Sequence, residues 1–143
     1  MFMGEFTCKI DDKGRFMLPA KFREILQNDE FVITRGLDNS IDLFPSSEWT
    51  NIENELRKLK RTDSKHRAYQ RFVLSAATKL TVDNQGRVNL PNSLVEHAKI
   101  NKTLIVTGMV DKIEIWAEEV WKEYIEKTEA SIEDIVDEIN FDF

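Results

Sequence analysis

The sequence predicts an α+β fold. Two tandem strand–turn–strand–helix–hairpin repeats form a pseudo-two-fold β-barrel, with peripheral helices between the repeats and at the C-terminus. Three observations predict it. The phrase IDDKGRFMLP at residues 10–19 returns as VDNQGRVNLP at 82–91. The likeness spreads far beyond it. Residues 5–26 align without gaps on 77–98, and 31–49 on 104–121 with one residue fewer in the second turn, so that Thr34 meets Thr107, Asp38 meets Asp111 and Trp49 meets Trp121. Finally, one such unit is too small to bury both faces of its sheet, whereas two can pair their apolar faces and hide their edge strands. Two copies are too few for a solenoid.

Each copy opens with a strand, TCKI or KLTV. A tight turn follows at Asp-x-x-Gly-Arg, where Gly14 and Gly86 can take positive φ without a Cβ clash. FML and VNL are short strands. Pro19 and Pro91 then open helices, where a missing N–H costs nothing. Phe22, Ile25 and Leu26 share one face of the first helix. Leu94, Val95 and Ala98 do so in the second, and Ser93 with Glu96 has capping-box spacing. A hairpin closes each copy: FVIT with IDLF, and LIVT with IEIW. Between the copies, a helix starting at Pro45 and Ser46 or Ser47 carries Trp49, Ile52, Leu56 and Leu59 on one stripe. Tyr69, Phe72, Val73 and Ala76 make a second stripe, so 47–76 reads as two helices broken near Thr62 and Asp63. Trp121, Tyr124 and Ile125 mark a helix after the second copy. Ile132, Ile135, Val136 and Ile139 fall at i, i+3, i+4 and i+7 with acids outside, a stripe expected to pack on the protein's own barrel. The apolar ending FDF is also expected to dock. The expected divisions are a first module at 5–47, a helical connector at 48–75, a second module at 76–119 and acidic C-terminal helices at 120–143.

The totals bound the function. The 143 residues carry a formal net charge of −6, which on its own argues mildly against nucleic acid. The distribution matters more. Residues 57–71, RKLKRTDSKHRAYQR, hold a single acid, Asp63, whereas from Glu114 onward the only bases are Lys122 and Lys127. The basic run reads as a solvated helical face linking the modules, with some of its bases pairing with the acidic tail of a neighbouring subunit. No apolar run is long enough to span a bilayer, and the opening MFMGEFTCK lacks a signal-peptide pattern. Cytoplasmic localisation is the expectation. The lone Cys8 cannot form an internal disulfide and reads as a small strand hydrophobe. His66 and His97 are the only histidines and lack metal-ligand spacing, so no metal, cofactor or small-molecule ligand is expected. Trp49 and Trp121, at equivalent positions, read as core.

The repeated turn carries the chemistry. Asp11 and Asp83 sit where a strand ends. There a carboxylate accepts from backbone N–H groups of its own turn or from an arginine of the other copy. Arg15 and Arg87 leave the turn in a controlled direction, and two symmetry-related turns would set two guanidinium groups side by side. A guanidinium fork suits phosphate or the O6/N7 edge of guanine. Lys13 and Gln85 add donors to the same loops. The expected result is a small, pre-shaped anion-binding edge, with Asp11, Asp83, Gly14 and Gly86 structuring the turns. Asp–Arg pairs that merely lock the turns are an equally weighted reading of the motif alone. Asp11 and Asp83 as a catalytic dyad is disfavoured, since each is followed by an arginine that would keep it ionised.

The double D-x-x-G-R phrase, the opening MFMGEF, the segment FVITRGLD and the acidic end with FDF carry a resemblance covering essentially the whole chain. The chain resembles the MraZ family, built from two tandem SpoVT-AbrB modules. That resemblance implies an AbrB-like barrel and a DNA-binding transcriptional regulator, usually a repressor, at the promoter of the division and cell-wall gene cluster. It also implies a ring-shaped homo-oligomer associated with the nucleoid, and it maps the family's functional motif onto residues 11–15 and 83–87. A ring whose subunits point the same way should prefer direct repeats in DNA. Two other readings are an antitoxin-like AbrB protein and a structural ring with no nucleic-acid role.

Overall fold

A computed structural model describes residues 1–140. The first copy supplies β1 (Glu5–Lys9), β2 (Arg15–Met17), α1 (Ala20–Leu26), β3 (Phe31–Arg35) and β4 (Ile41–Pro45). Helices α2 (Ser46–Arg57) and α3 (Ser64–Leu74) follow. The second copy repeats the plan with β5 (Thr78–Leu80), β6 (Arg87–Asn89), α4 (Asn92–His97), β7 (Thr103–Gly108) and β8 (Ile113–Ala117), and α5 (Glu118–Glu138) ends the described chain.

The strand order is where the duplication becomes architecture. Six strands form an antiparallel sheet in the order β1-β7-β8-β4-β3-β5, and β2 pairs with β6 in a separate two-stranded ribbon. Exchanging every strand for its repeat counterpart turns that order into β5-β3-β4-β8-β7-β1, the same sheet read backwards. The exchange axis therefore passes between β4 and β8 and through the ribbon. The copies are interlocked: β1 of the first lies on β7 of the second, and β5 of the second on β3 of the first. The six-stranded ladder ends at β1 and β5 and does not close on itself. A single bridge, Ile10 to Phe16, ties the end of β1 to the ribbon.

Both copies fill one core. Phe16, Leu18, Phe22, Ile33, Ile41 and Leu43 meet Val88, Leu90, Leu94, Leu104, Val106, Ile113 and Ile115, all nearly or wholly removed from water. Each such side chain contributes about 1.5–3 kcal/mol on burial, so neither copy has a comparable core alone. A second cluster, Val32, Phe44, Trp49, Leu56 and Val73, seats α2 and α3 on the outer face of β3 and β4. That double coverage buries residues 31–34 and 41–44 at every position rather than at alternate ones. The break between the helices is set by Asp63, whose side chain accepts from the N–H groups of Lys65 and His66.

Several expectations are corrected. Ser93 and Glu96 form no capping box: α4 starts after Pro91 without a side-chain cap, and Glu96 instead accepts from Asn92 Nδ2. The acidic end is one continuous helix. Its stripe does not pack on the protein's own sheet, since Ile132, Ile135, Val136 and Ile139 are 37–49% exposed. The strands that α5 meets lie under its first turns, and the rest runs past them. Trp49 is buried, but Trp121 is only half-buried, edge-on to Trp116 and stacked on Tyr124 with its indole N–H on Glu5. The FDF ending lies outside the described residues.

Candidate nucleic-acid interface

The two turns have the same internal wiring. Asp11 Oδ1 accepts from the backbone N–H groups of Lys13 and Arg15, both at 2.9 Å, and Oδ2 accepts from Arg15 Nε at 2.9 Å. Asp83 does likewise with Gln85 N–H at 2.8 Å, Arg87 N–H at 2.9 Å and Arg87 Nε at 3.0 Å. The sequence left open whether each aspartate pairs within its own turn or across the copies; it pairs within its own turn. The Arg15 backbone N–H foremost, then its side chain, holds the Asp11 carboxyl below the usual carboxylate range, and the Arg87 backbone N–H does the same for Asp83. Both aspartates are thus committed acceptors at neutral pH.

Gly14 and Gly86 take φ of +82° and +81°. They also join the copies: Gly14 O accepts from Leu90 N–H at 2.8 Å, and Gly86 O from Leu18 N–H at 3.0 Å. A Cβ on Gly14 would stand 2.9 Å from Leu90 O. Each turn is therefore clamped to the strand of the opposite repeat.

The ribbon aligns Arg15 with Asn89, Phe16 with Val88 and Met17 with Arg87. Phe16 and Val88 point into the core. By strand alternation Arg15, Met17, Arg87 and Asn89 share the opposite, outward face. Arg15 and Arg87 are then diagonal neighbours, about 7–8 Å apart. The turns themselves lie at opposite ends of this short ribbon, so Lys13 and Gln85, both exposed, flank the arginine pair from either side. With Nε engaged by its aspartate, each guanidinium keeps both Nη groups free of hydrogen-bond partners among the described residues. The salt bridge fixes the direction of the fork without using it up. Asp11 and Asp83, each turned onto its own loop at opposite ends, form no dyad.

One residue escaped the sequence reading. Arg23 on α1 donates from Nη1 to Leu18 O at 2.7 Å, and its guanidinium lies over the second turn, with Nη1 2.8 Å from where a Gly86 Cβ would stand. Val95 occupies the equivalent position in the second copy, so the first turn has no such brace. The only signal was an arginine facing a valine, one of many differences between two imperfect copies. The basic segment 57–71 lies along the end of α2 and in α3, helices that pack on β3 and β4. His66 Nδ1 accepts from Lys60 N–H, and His97 Nε2 is 3.0 Å from Ser40 O. No cluster of metal-ligating side chains occurs among the described residues.

Two regions of the chain, residues 1–72 and 73–140, each match the family model described as "MraZ protein, putative antitoxin-like". The chain belongs to the MraZ family. Relatives named "Transcriptional regulator MraZ" include those of Desulforamulus reducens and Natranaerobius thermophilus. Each is 46% identical over 139 residues, covering 97% of this chain and 97% and 96% of theirs. The MraZ protein of Limosilactobacillus reuteri is 42% identical over the full length of both chains. The halves that match the MraZ model coincide with the halves that the strand exchange interlocks. No helix among the described residues is long and apolar enough to cross a membrane.

Proposed function

We propose that this protein is a sequence-specific DNA-binding transcriptional regulator, a repressor of the division and cell-wall gene cluster, which grips promoter direct repeats through the β2–β6 ribbon. The observation that carries the reading is the outward pair Arg15 and Arg87, aimed by Asp11 and Asp83 and flanked by Lys13 and Gln85. The eight strands then act as one AbrB-like barrel of two modules, 5–47 and 76–119, with 48–75 as connector and 120–143 as acidic tail. The names of the relatives support the regulatory role. A ribbon, its Nη groups free and its backbone locked by core residues Phe16 and Val88, gives guanidinium forks a fixed bearing for guanine edges or phosphates.

Two arginines alone neutralise few phosphates, and affinity grows with the number neutralised. A homo-oligomeric ring repeating the edge overcomes this by multivalency, with head-to-tail contacts closing it and the nucleoid as its place of work. The test is genome-wide capture of bound DNA, then a salt titration of a gel shift on the recovered site. Steeply salt-dependent binding that weakens when the spacing of the direct repeats is altered supports the reading. Binding indifferent to spacing removes the direct-repeat arrangement. No DNA binding at all leaves the structural ring. An antitoxin reading gains little from the chain: it has two modules and a regular helix as its tail.

A further inference from the structure

The internal two-fold makes α5 the counterpart of α2, since each follows the second strand of its hairpin. The two are treated differently. Helix α2 has 12 residues, and α3 folds back over its stripe so that Leu56 and Val73 are buried. Helix α5 has 21 residues and buries none fully. Among the described residues, no helix of the second copy replaces α3. The same asymmetry marks the sheet. The Thr34 hydroxyl donates to Val73 O at the end of α3, whereas the equivalent Thr107 Oγ1 is buried without a partner among the described residues. The distal half of α5 thus presents Ile132, Ile135 and Val136 to solvent, with Ile139 exposed just past its end and Glu133 and Asp137 bordering the stripe.

A surface of opposite character lies on the α2–α3 hairpin. Leu56, Leu59 and Leu74 floor a groove of about 410 Å³ edged by Arg57, Arg61 and Gln70, with Glu53 the one acid in its lining. Segment 57–71 holds seven Lys and Arg against Asp63, and α5 holds nine Asp and Glu against Lys122 and Lys127. Two α5 helices packed together would set carboxylates against carboxylates. An α5 laid in the groove sets leucines on isoleucines and arginines on acids.

We propose that the distal half of α5 docks into the α2–α3 groove of a second copy of this chain, supplying from outside the helical cover that α3 gives to α2. This deepens the homo-oligomer reading and rests on it. The contact is heterologous: each chain offers a helix at one place and a groove at another, so the contact repeats around a closed ring.

The test is sedimentation velocity of the full chain across a concentration series. It compares the native chain with Arg57→Glu/Arg61→Glu, Glu133→Arg/Asp137→Arg, and one chain carrying all four changes. These positions are exposed, and circular dichroism checks that folding is retained. Each double variant should assemble about tenfold or more weakly, since like charges then face each other, and the fourfold variant should recover. A monomeric native chain overturns both this contact and the ring. An assembled native chain that ignores either double variant, or whose loss the fourfold variant does not recover, overturns this contact alone. Oxidised Ile135→Cys provides a second check. A disulfide between two such chains means α5–α5 packing and overturns the proposal. A disulfide only when that chain is mixed with Leu74→Cys supports it. Both chains also carry Cys8→Ser, which removes the one native thiol.

Discussion

Replacing Lys112 by Met probes the seam where the two copies meet. Asp42 on β4 and Glu114 on β8 are repeat counterparts and direct cross-strand partners. The fold therefore sets two carboxylates face to face across the exchange axis. Lys112 Nζ stands between them, 2.9 Å from Asp42 Oδ1 and 3.3 Å from Glu114 Oε2, and the carboxylate side chains are only 12% and 16% exposed. Burial pushes the Asp42 carboxyl up, and Lys112 pulls it partly back. Burial disfavours the Lys112 charge too, but Asp42 and Glu114 more than offset it and raise the ammonium. Two like charges about 5 Å apart at an effective dielectric of about 20 repel by roughly 3 kcal/mol. Protonating Asp42 caps that cost, so Lys112→Met should lose about 2–4 kcal/mol at neutral pH. The sign with pH follows from Asp42. Its folded value lies above its unfolded value, so the native state holds more protons in that window and stability falls as pH rises through it. Losing Lys112 widens the window. Urea unfolding should show a large loss at pH 7.5 and a much smaller one at pH 4.5, and Asp42→Asn in the Lys112→Met background should recover most of it. Equal losses at both pH values would refute the electrostatic account.

Four further outcomes are expected. Arg15→Ala and Arg87→Ala should each leave folding and assembly intact, cost about 1–3 kcal/mol of specific DNA binding per lost bidentate contact, and reduce the salt slope by about one per lost phosphate contact; unchanged binding in both defeats the site assignment. Gly14→Ala should lose about 1–3 kcal/mol of stability by denaturant unfolding, because the new methyl meets Leu90 O as well as the left-handed backbone. Arg23→Ala should speed amide exchange in the second turn and not the first, since only the second has the brace. Asp11 and Asp83 titrate below the ordinary 3.8; their contribution is present above that value and lost as pH falls through the lower folded one. A carboxylate NMR titration should therefore show Asp11 moving upward in Arg15→Ala and staying put in Arg87→Ala.

Much of this was legible because duplication writes long-range information in local text. The double D-x-x-G-R phrase located both turns, both glycines with positive φ and both arginines. It also implied that the copies share a core, since neither has enough apolar surface alone. The exchange of β1 and β5 between copies was not legible. Alternation says that a strand has a buried face and nothing about whose hairpin it joins. The α5 stripe met the same limit: period 3.6 announced an apolar face, and its occupant is a matter of what lies nearby in space. Arg23 and the Asp42–Lys112–Glu114 cluster were missed for another reason. Attention to what the copies share hides what only one has, and Lys112 reads locally as an ordinary hairpin-turn residue.

An acidic chain as a DNA binder stops being paradoxical once charge is placed on the fold. Counterion release depends on cations that reach phosphates, so the net total is a poor guide. On the ribbon, each aspartate spends its oxygens on its own turn while the guanidinium tips stay free. Nine of the acids lie on α5, and docking that helix on a basic groove would neutralise both surfaces within the assembly. The same contact would bring the ribbons of successive copies into a fixed series. On that proposed contact acidity would serve assembly, and assembly would make two arginines per chain sufficient for DNA.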